Sequence, residues 1–219
     1  MNDPASKVAS LPEHARLQQR KARLIMLAIV AAFVLPFLVL PLFSSPMHMK
    51  KNNKGILIQP HIPFAELALR NGDQPVTASY LASRWTLLYV IPKDCDTVCL
   101  LARKHALYAM RQVRLSLDRS VDRVQNLLVF TVEPEAELSA LLESEFPGMK
   151  KLYGDRQVLD MNLYSRLQEQ YPAGNIFLMS PDGYIFMAYP TFADEQESVL
   201  RARDIRADLK KSIKGDRQF

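Results

Sequence analysis

From Leu24 to Phe43 the chain reads LIMLAIVAAFVLPFLVLPLF, a stretch without a single charged side chain. An α-helix of that length, rising about 1.5 Å per residue, reaches across the roughly 30 Å hydrocarbon layer of a bilayer. The segment is therefore predicted to be a transmembrane helix, and the rest of the chain must fold on one side of it or the other. A cleaved leader would carry a shorter apolar stretch ending in small residues, a pattern that Leu42-Phe43-Ser44-Ser45 does not supply. Pro36 and Pro41 fall inside the segment, which a membrane tolerates better than water does. Cations favour the cytoplasmic side: Lys7, Arg16, Arg20, Lys21 and Arg23 precede the segment, and Lys50, Lys51 and Lys54 follow it. The N-terminus is thus expected inside, with the C-terminal body on the periplasmic side of an inner (cytoplasmic) membrane, where disulfides persist.

The chain of 219 residues leaves room for one domain of ordinary size beyond this anchor. With 48% hydrophobic and 23% charged residues, that body is globular rather than disordered. The net charge of +5 does not imply a nucleic-acid partner. Its cations alternate with acids through 111–123 and 201–217, as on solvated helix faces, and no aromatic-basic platform or finger spacing accompanies them. The expected organisation is a cytoplasmic tail (1–22), the transmembrane helix (24–43), a linker (44–54) and a periplasmic domain (55–219).

Within that domain, Ile56-Leu57-Ile58 and Phe64–Leu69 read as short strands, and Asn71-Gly72-Asp73 as a hairpin turn. Trp85–Ile91 (WTLLYVI) suits a buried central strand that Pro92-Lys93-Asp94 ends. From Thr97 to about Leu117, apolar residues recur at helical spacing. Asn126–Val132 predicts a second buried strand. Pro134 with Glu135 and Glu137 opens a helix, and Asp160–Tyr171 forms another. Gly174–Ser180 and Tyr184–Tyr189 flank Pro181-Asp182-Gly183 as a hairpin, followed by a charged helix from about Glu195 to Lys214. This order combines a parallel strand–helix–strand unit with a terminal antiparallel hairpin. It predicts an α/β, thioredoxin-like fold, a central mixed sheet flanked by helices, carrying one N-terminal transmembrane helix.

The chain has two cysteines, and they fall together as Cys95-Asp96-Thr97-Val98-Cys99 at the junction of the first buried strand with its helix. Open sheets place their ligands at that strand edge. In a helical first turn the two sulfurs share a face, close enough for reversible oxidation. The helix N-terminus and Lys93 favour the thiolates, whereas Asp94 and Asp96 oppose them. Cys95, the residue before the helix, is expected to attack and Cys99 to resolve. Inert packing or a static disulfide is the alternative use of such a pair.

Around these cysteines the chain resembles the Sco/SenC family of thioredoxin-like proteins that assist cytochrome c oxidase assembly. The resemblance rests on Phe64 and Leu67, Asn71-Gly72-Asp73 with Pro75-Val76, Arg84-Trp85-Thr86-Leu87-Leu88-Tyr89, the C-x3-C pair, Asp122-Arg123-Val124-Gln125 leading to Glu133-Pro134, and Pro181-Asp182-Gly183. It implies a membrane-anchored accessory factor acting by thiol–disulfide exchange, or by transient Cu(I) handling at Cys95 and Cys99. Its implied partner is a cytochrome c oxidase subunit or another copper or thiol assembly factor. The family's ligand histidine would fall at about Pro172, where no imidazole is found in Pro172-Ala173-Gly174-Asn175, and Leu100 replaces the proline after the second cysteine. Two thiolates alone still suit soft Cu(I).

His105, six residues past Cys99, points away from that sulfur on an ideal helix and is assigned to packing or surface. His61 lies in a proline-flanked segment; Met47-His48-Met49 clusters soft donors beside the apolar segment; Met179 and Met187 are assigned to core strands. A peroxidase would place a hydroxyl residue three before its attacking cysteine, where Pro92 and Asp96 stand instead. A thioredoxin-type oxidoreductase would carry C-x-x-C and a facing proline, whose ungapped equivalent is Asn175. A general periplasmic thiol–disulfide oxidoreductase, and a non-catalytic membrane scaffold with a structural disulfide, remain as alternatives.

Overall fold

The computed structural model describes residues 23–27, 29–30, 53–81, 84–167 and 174–215. The chain divides into two compact units, Met1–Asn52 and Asn53–Phe219. In the first, residues 23–27 and 29–30 are helical, and Leu24, Ile25, Met26, Leu27, Ile29 and Val30 are all exposed. The rest of the expected transmembrane segment, and Met47-His48-Met49, lie outside the described residues. Among the described residues no helix is long and apolar enough to cross a membrane.

The second unit is organised by β4 (Trp85–Val90), in which every residue is buried. Its alternation sends Leu87 and Tyr89 into one apolar cluster and Leu88 and Val90 into another, so the strand is covered on both faces. β4 pairs in parallel with β5 (Val124–Phe130), across α1 (Thr97–Leu115), and antiparallel with β7 (Asn175–Met179). β7 continues through Pro181-Asp182-Gly183 into β8 (Tyr184–Pro190), which pairs with β1 (Ile56–Pro63) at one edge. On the other side β5 pairs in parallel with β6 (Lys150–Tyr153), and the small hairpin of β2 (Arg70–Asn71) and β3 (Gln74–Pro75) joins β6. The eight-stranded order is β1-β8-β7-β4-β5-β6-β2-β3.

One face of this mixed sheet is covered by α1, α2 (Ala136–Glu145) and α4 (Glu195–Gly215), which contribute Leu107, Met110, Leu142, Ile205 and Leu209 to the larger cluster. α3 (Arg156–Asn162) covers the other face with Leu159, joined by Phe64, Leu67 and Leu163. The expected α/β architecture, a mixed sheet between helices, is present.

Three local expectations change. Phe64–Leu67 is a turn of 3₁₀ helix rather than a strand, because its buried residues Phe64 and Leu67 are three apart and Ala68 adopts left-handed φ of 47°. α3 starts at Arg156, earlier than Asp160, because the Asp155 carboxylate caps it by accepting from the amides of Gln157 and Val158 at 2.8 and 3.1 Å. It ends at Asn162, and a 3₁₀ turn at Tyr164–Arg166 follows; Tyr171, the expected end, lies outside the described residues. β6 was not foreseen, since only Leu152 of its four residues is buried and the strand is defined by pairing with β5.

Candidate thiol site

At the C-terminal edge of β4 the Ile91 amide still donates to the Val129 carbonyl at 2.8 Å, and Pro92 then turns the chain out of the sheet. Asp96 starts α1: its backbone is extended, its Oδ1 accepts from the Cys99 amide at 2.8 Å, and its carbonyl accepts from the Leu100 amide at 2.9 Å. This cap sets the first turn on which Cys95 and Cys99 sit, with Cα atoms 5.1 Å apart and the two sulfurs joined in a disulfide. The two residues differ in burial. Cys95 is half-buried, whereas Cys99 is only 4% exposed and packs with Ala102 and with Ala193, two residues before α4.

A cleft of about 310 Å³ opens beside the cysteine loop, between Lys93 and Asp94 on one wall and Glu133 and Glu135 on the other. Arg103, one helical turn beyond Cys99, also lines it. The Glu133 carboxylate is held by the Tyr153 hydroxyl at 2.9 Å. Burial pushes the Tyr89 phenol, on β4, well above its ordinary range; nearby Tyr164 adds to this, while Arg103 and a side-chain hydrogen bond with Thr191 oppose it. Thr191 in turn donates through its amide and hydroxyl to the Gly174 carbonyl, at 3.3 and 3.1 Å. Gly174 has a φ of 80° and lies so close to Tyr164 that an added Cβ would stand 3.3 Å from the phenol oxygen.

Residues 85–212 match the family described as transmembrane-like, thioredoxin-like, C-terminal domain, a span of more than half the chain. The chain belongs to this family. Its thioredoxin-like domain therefore includes β4 through α4, with the disulfide at the first strand–helix junction of the matched region. No curated protein matches it. Among solved structures, the domain is similar to apo Sco1 from Thermus thermophilus, at 18% identity over 73% of this chain and 96% of that one, with a TM-score of 0.49. It is also similar to copper-bound ScoI from Bradyrhizobium japonicum, at 19% identity over 68% and 98%, TM-score 0.37. Peroxiredoxin Q from Xanthomonas campestris is similar at 16% identity over 71% and 98%, TM-score 0.45. No residue role in this chain follows from these likenesses.

The other candidate donors of the thioredoxin-like domain lie apart from the disulfide. His105 is half-buried on α1 and lines a groove against α4, not the cleft beside the cysteine loop. His61 is exposed on β1, its ring 6.0 Å from that of Phe186. Met179 and Met187 are core residues, 1% and 4% exposed. Pro172 falls outside the described residues. Asn175, at the ungapped position of the thioredoxin-type proline, is completely buried, and neither its side-chain oxygen nor its nitrogen has a hydrogen-bond partner. Among the described residues no group of three or more His, Cys, Asp or Glu side chains could enclose a metal ion. A soft monovalent ion taken up as cargo would have the two reduced sulfurs as its donors, a set that fits two-coordinate Cu(I). Sequence reasoning missed Arg103, Tyr89 and Thr191; the i,i+4 spacing from Cys99 to Arg103 was the available signal for the first.

Proposed function

We propose that this chain is a membrane-anchored, Sco-like accessory factor for cytochrome c oxidase assembly, acting through Cys95 and Cys99 by thiol–disulfide exchange and transient carriage of Cu(I). The observation that carries this reading is the disulfide on the capped first turn of α1, with Cys95 half-buried and Cys99 buried. In the reduced chain, the Cys95 thiolate attacks a client disulfide, forming a mixed disulfide and releasing one client thiolate. Cys99 then attacks the Cys95 sulfur, which closes the Cys95–Cys99 bond and releases the second client thiolate. The client gains two electrons and the chain loses two. A client dithiol reverses the same steps. While reduced, the pair presents two thiolates to Cu(I), which is cargo rather than a resident group.

The proposed setting is the inner membrane, with residues 24–43 as anchor, the N-terminus inside and residues 55–219 in the periplasm. The exposed apolar helical residues Leu24–Leu27 and Ile29–Val30 and the greater number of cations before the segment support it. The test is titration of the reduced full chain with Cu(I) against a competing chelator, alongside exchange with a model disulfide, both compared with Cys95→Ser/Cys99→Ser. Cysteine-dependent uptake of one copper per chain supports carriage. Catalytic exchange without copper uptake leaves a general thiol oxidoreductase, and loss of neither activity on substitution removes the cysteines from the function.

A further inference from the structure

A groove of about 670 Å³ in the thioredoxin-like domain runs between α1 and α4, apart from the cleft beside the cysteine loop. Its walls are two helical stripes. On α1 they include His105, Tyr108 and Gln112, and on α4 Glu195, Val199, Ala202 and Arg206, at spacings that keep each set on one face. The α4 stripe covers three turns, about 16 Å of helix. Lys104, Arg203 and Arg206 supply three cations to the lining against one acid, Glu195.

A further feature marks this face as incomplete. Large apolar side chains stand in solvent where the two helices begin: Val98 and Leu101 on α1 at 63% and 45% exposure, Val199 and Leu200 on α4 at 56% and 54%. These are the same helix starts that meet at the disulfide, where Cys99 packs on Ala193.

We propose that the α1/α4 groove is the docking surface for an amphipathic helix bearing acidic residues, carried by the protein whose thiols or disulfide react at Cys95. The apolar face of that helix covers Val199, Ala202 and the exposed residues beside them. Its carboxylates face Lys104, Arg203 and Arg206. The choice of an acidic partner rests on charge complementarity, and the choice of a helix on the length and apolar floor of the groove. The identity of the partner as the thiol client rests on the function proposed above; the docking surface itself does not.

The test uses the full chain in nanodiscs of zwitterionic lipid and a fluorescent amphipathic helix with leucine on one face and glutamate on both flanks. The same peptide with lysine for glutamate is the control. The glutamate peptide is expected to bind at least about tenfold tighter than the lysine peptide, with the preference inverted by Lys104→Glu/Arg203→Glu. Ala202→Trp, which fills the floor, should remove binding while circular dichroism stays unchanged. Equal binding of the two peptides, no binding of the glutamate peptide, or an unchanged preference in the charge-reversed chain overturns the proposal. So does loss of glutamate-peptide binding when the nanodiscs are remade with anionic lipid, which would show lipid covering the groove in place of the peptide. Cys95→Ser/Cys99→Ser separates the two readings. If that chain retains the peptide preference while the native chain shows no thiol exchange, the docking surface stands and the thiol reading falls. If exchange is present without any peptide preference, the reverse holds.

Discussion

On one face of the β7–β8 pair, Tyr189 and Asp208 are buried together, and the Asp208 carboxylate accepts from the Lys54 amide at 2.8 Å, the Gly55 amide at 3.0 Å and the Tyr189 hydroxyl at 3.0 Å. One register step away, Asn175 pairs with Pro190 and its alternation places it on the opposite face, with both side-chain polar atoms unpartnered. The first corner closes the fold by fastening the start of the domain to α4. The second lies on the strand that leads out of Gly174, whose carbonyl is tied to Thr191. Structural corners satisfy their polar groups, whereas departures from that rule concentrate where a chain does something else.

The largest test of this contrast is Asp208→Ala, which strands two amides and a phenol. It should lower unfolding stability by about 3 kcal/mol, read as a shifted urea midpoint. A loss below half that size would mean the corner is not a fastening. Gly55→Ala should follow at about 2 kcal/mol, because its Cβ would stand 2.5 Å from the Tyr189 ring and the phenol must leave Asp208 to admit it. Alkaline titration probes the same corner: burial, and then Asp208, push the Tyr189 phenol far above its ordinary range. Its stabilising contribution is therefore complete below about pH 10, where the unfolded phenol keeps its proton, and declines above that by about 1.4 kcal/mol per pH unit. Tyr189→Phe should flatten that decline in urea melts between pH 9 and pH 11.5, values chosen about the phenol range; an unchanged slope would assign the decline to other groups.

At the thiol edge the expected effects are smaller. Asp96→Ala removes the cap on α1 and should cost about 1 kcal/mol, with a changed thiol–disulfide equilibrium measured against glutathione, because the Cys99 amide loses its acceptor. Asn175→Leu should stabilise the domain by up to about 1 kcal/mol, since it replaces an unsatisfied amide with an apolar side chain of similar size. Destabilisation there would show that Asn175 has a partner in solution and would erase the contrast.

Much of the fold was legible because its central elements carry long, unambiguous patterns. Trp85–Val90 is apolar but for Thr86, the strand expected at Asn126–Val132 lies at Val124–Phe130 with Leu127–Phe130 as its apolar run, and Pro181-Asp182-Gly183 punctuates the hairpin. β6 was hidden because Lys150-Lys151-Leu152-Tyr153 becomes a strand only by lying beside β5. The cysteine pair was visible because the chain holds only two, and the structure adds that a disulfide joins them. Asp208 was not visible, since in the run Arg206-Ala207-Asp208-Leu209-Lys210 a carboxylate looks like one more solvated charge. Its place three residues after buried Ile205, on the inward face of α4, was the overlooked clue.

The two margins of the sheet bear on how such a molecule can be approached. β3 is two residues long and includes Pro75, and β1 carries Pro60, Pro63 and a register shift between Leu57 and Ile62. Neither margin offers a flat, unbroken ladder of free amides, so a neighbouring chain cannot easily extend the sheet by adding a strand. Copies crowded side by side are thereby kept from zipping together, and recognition is left to side chains on the helical faces, where sequence can discriminate friend from stranger.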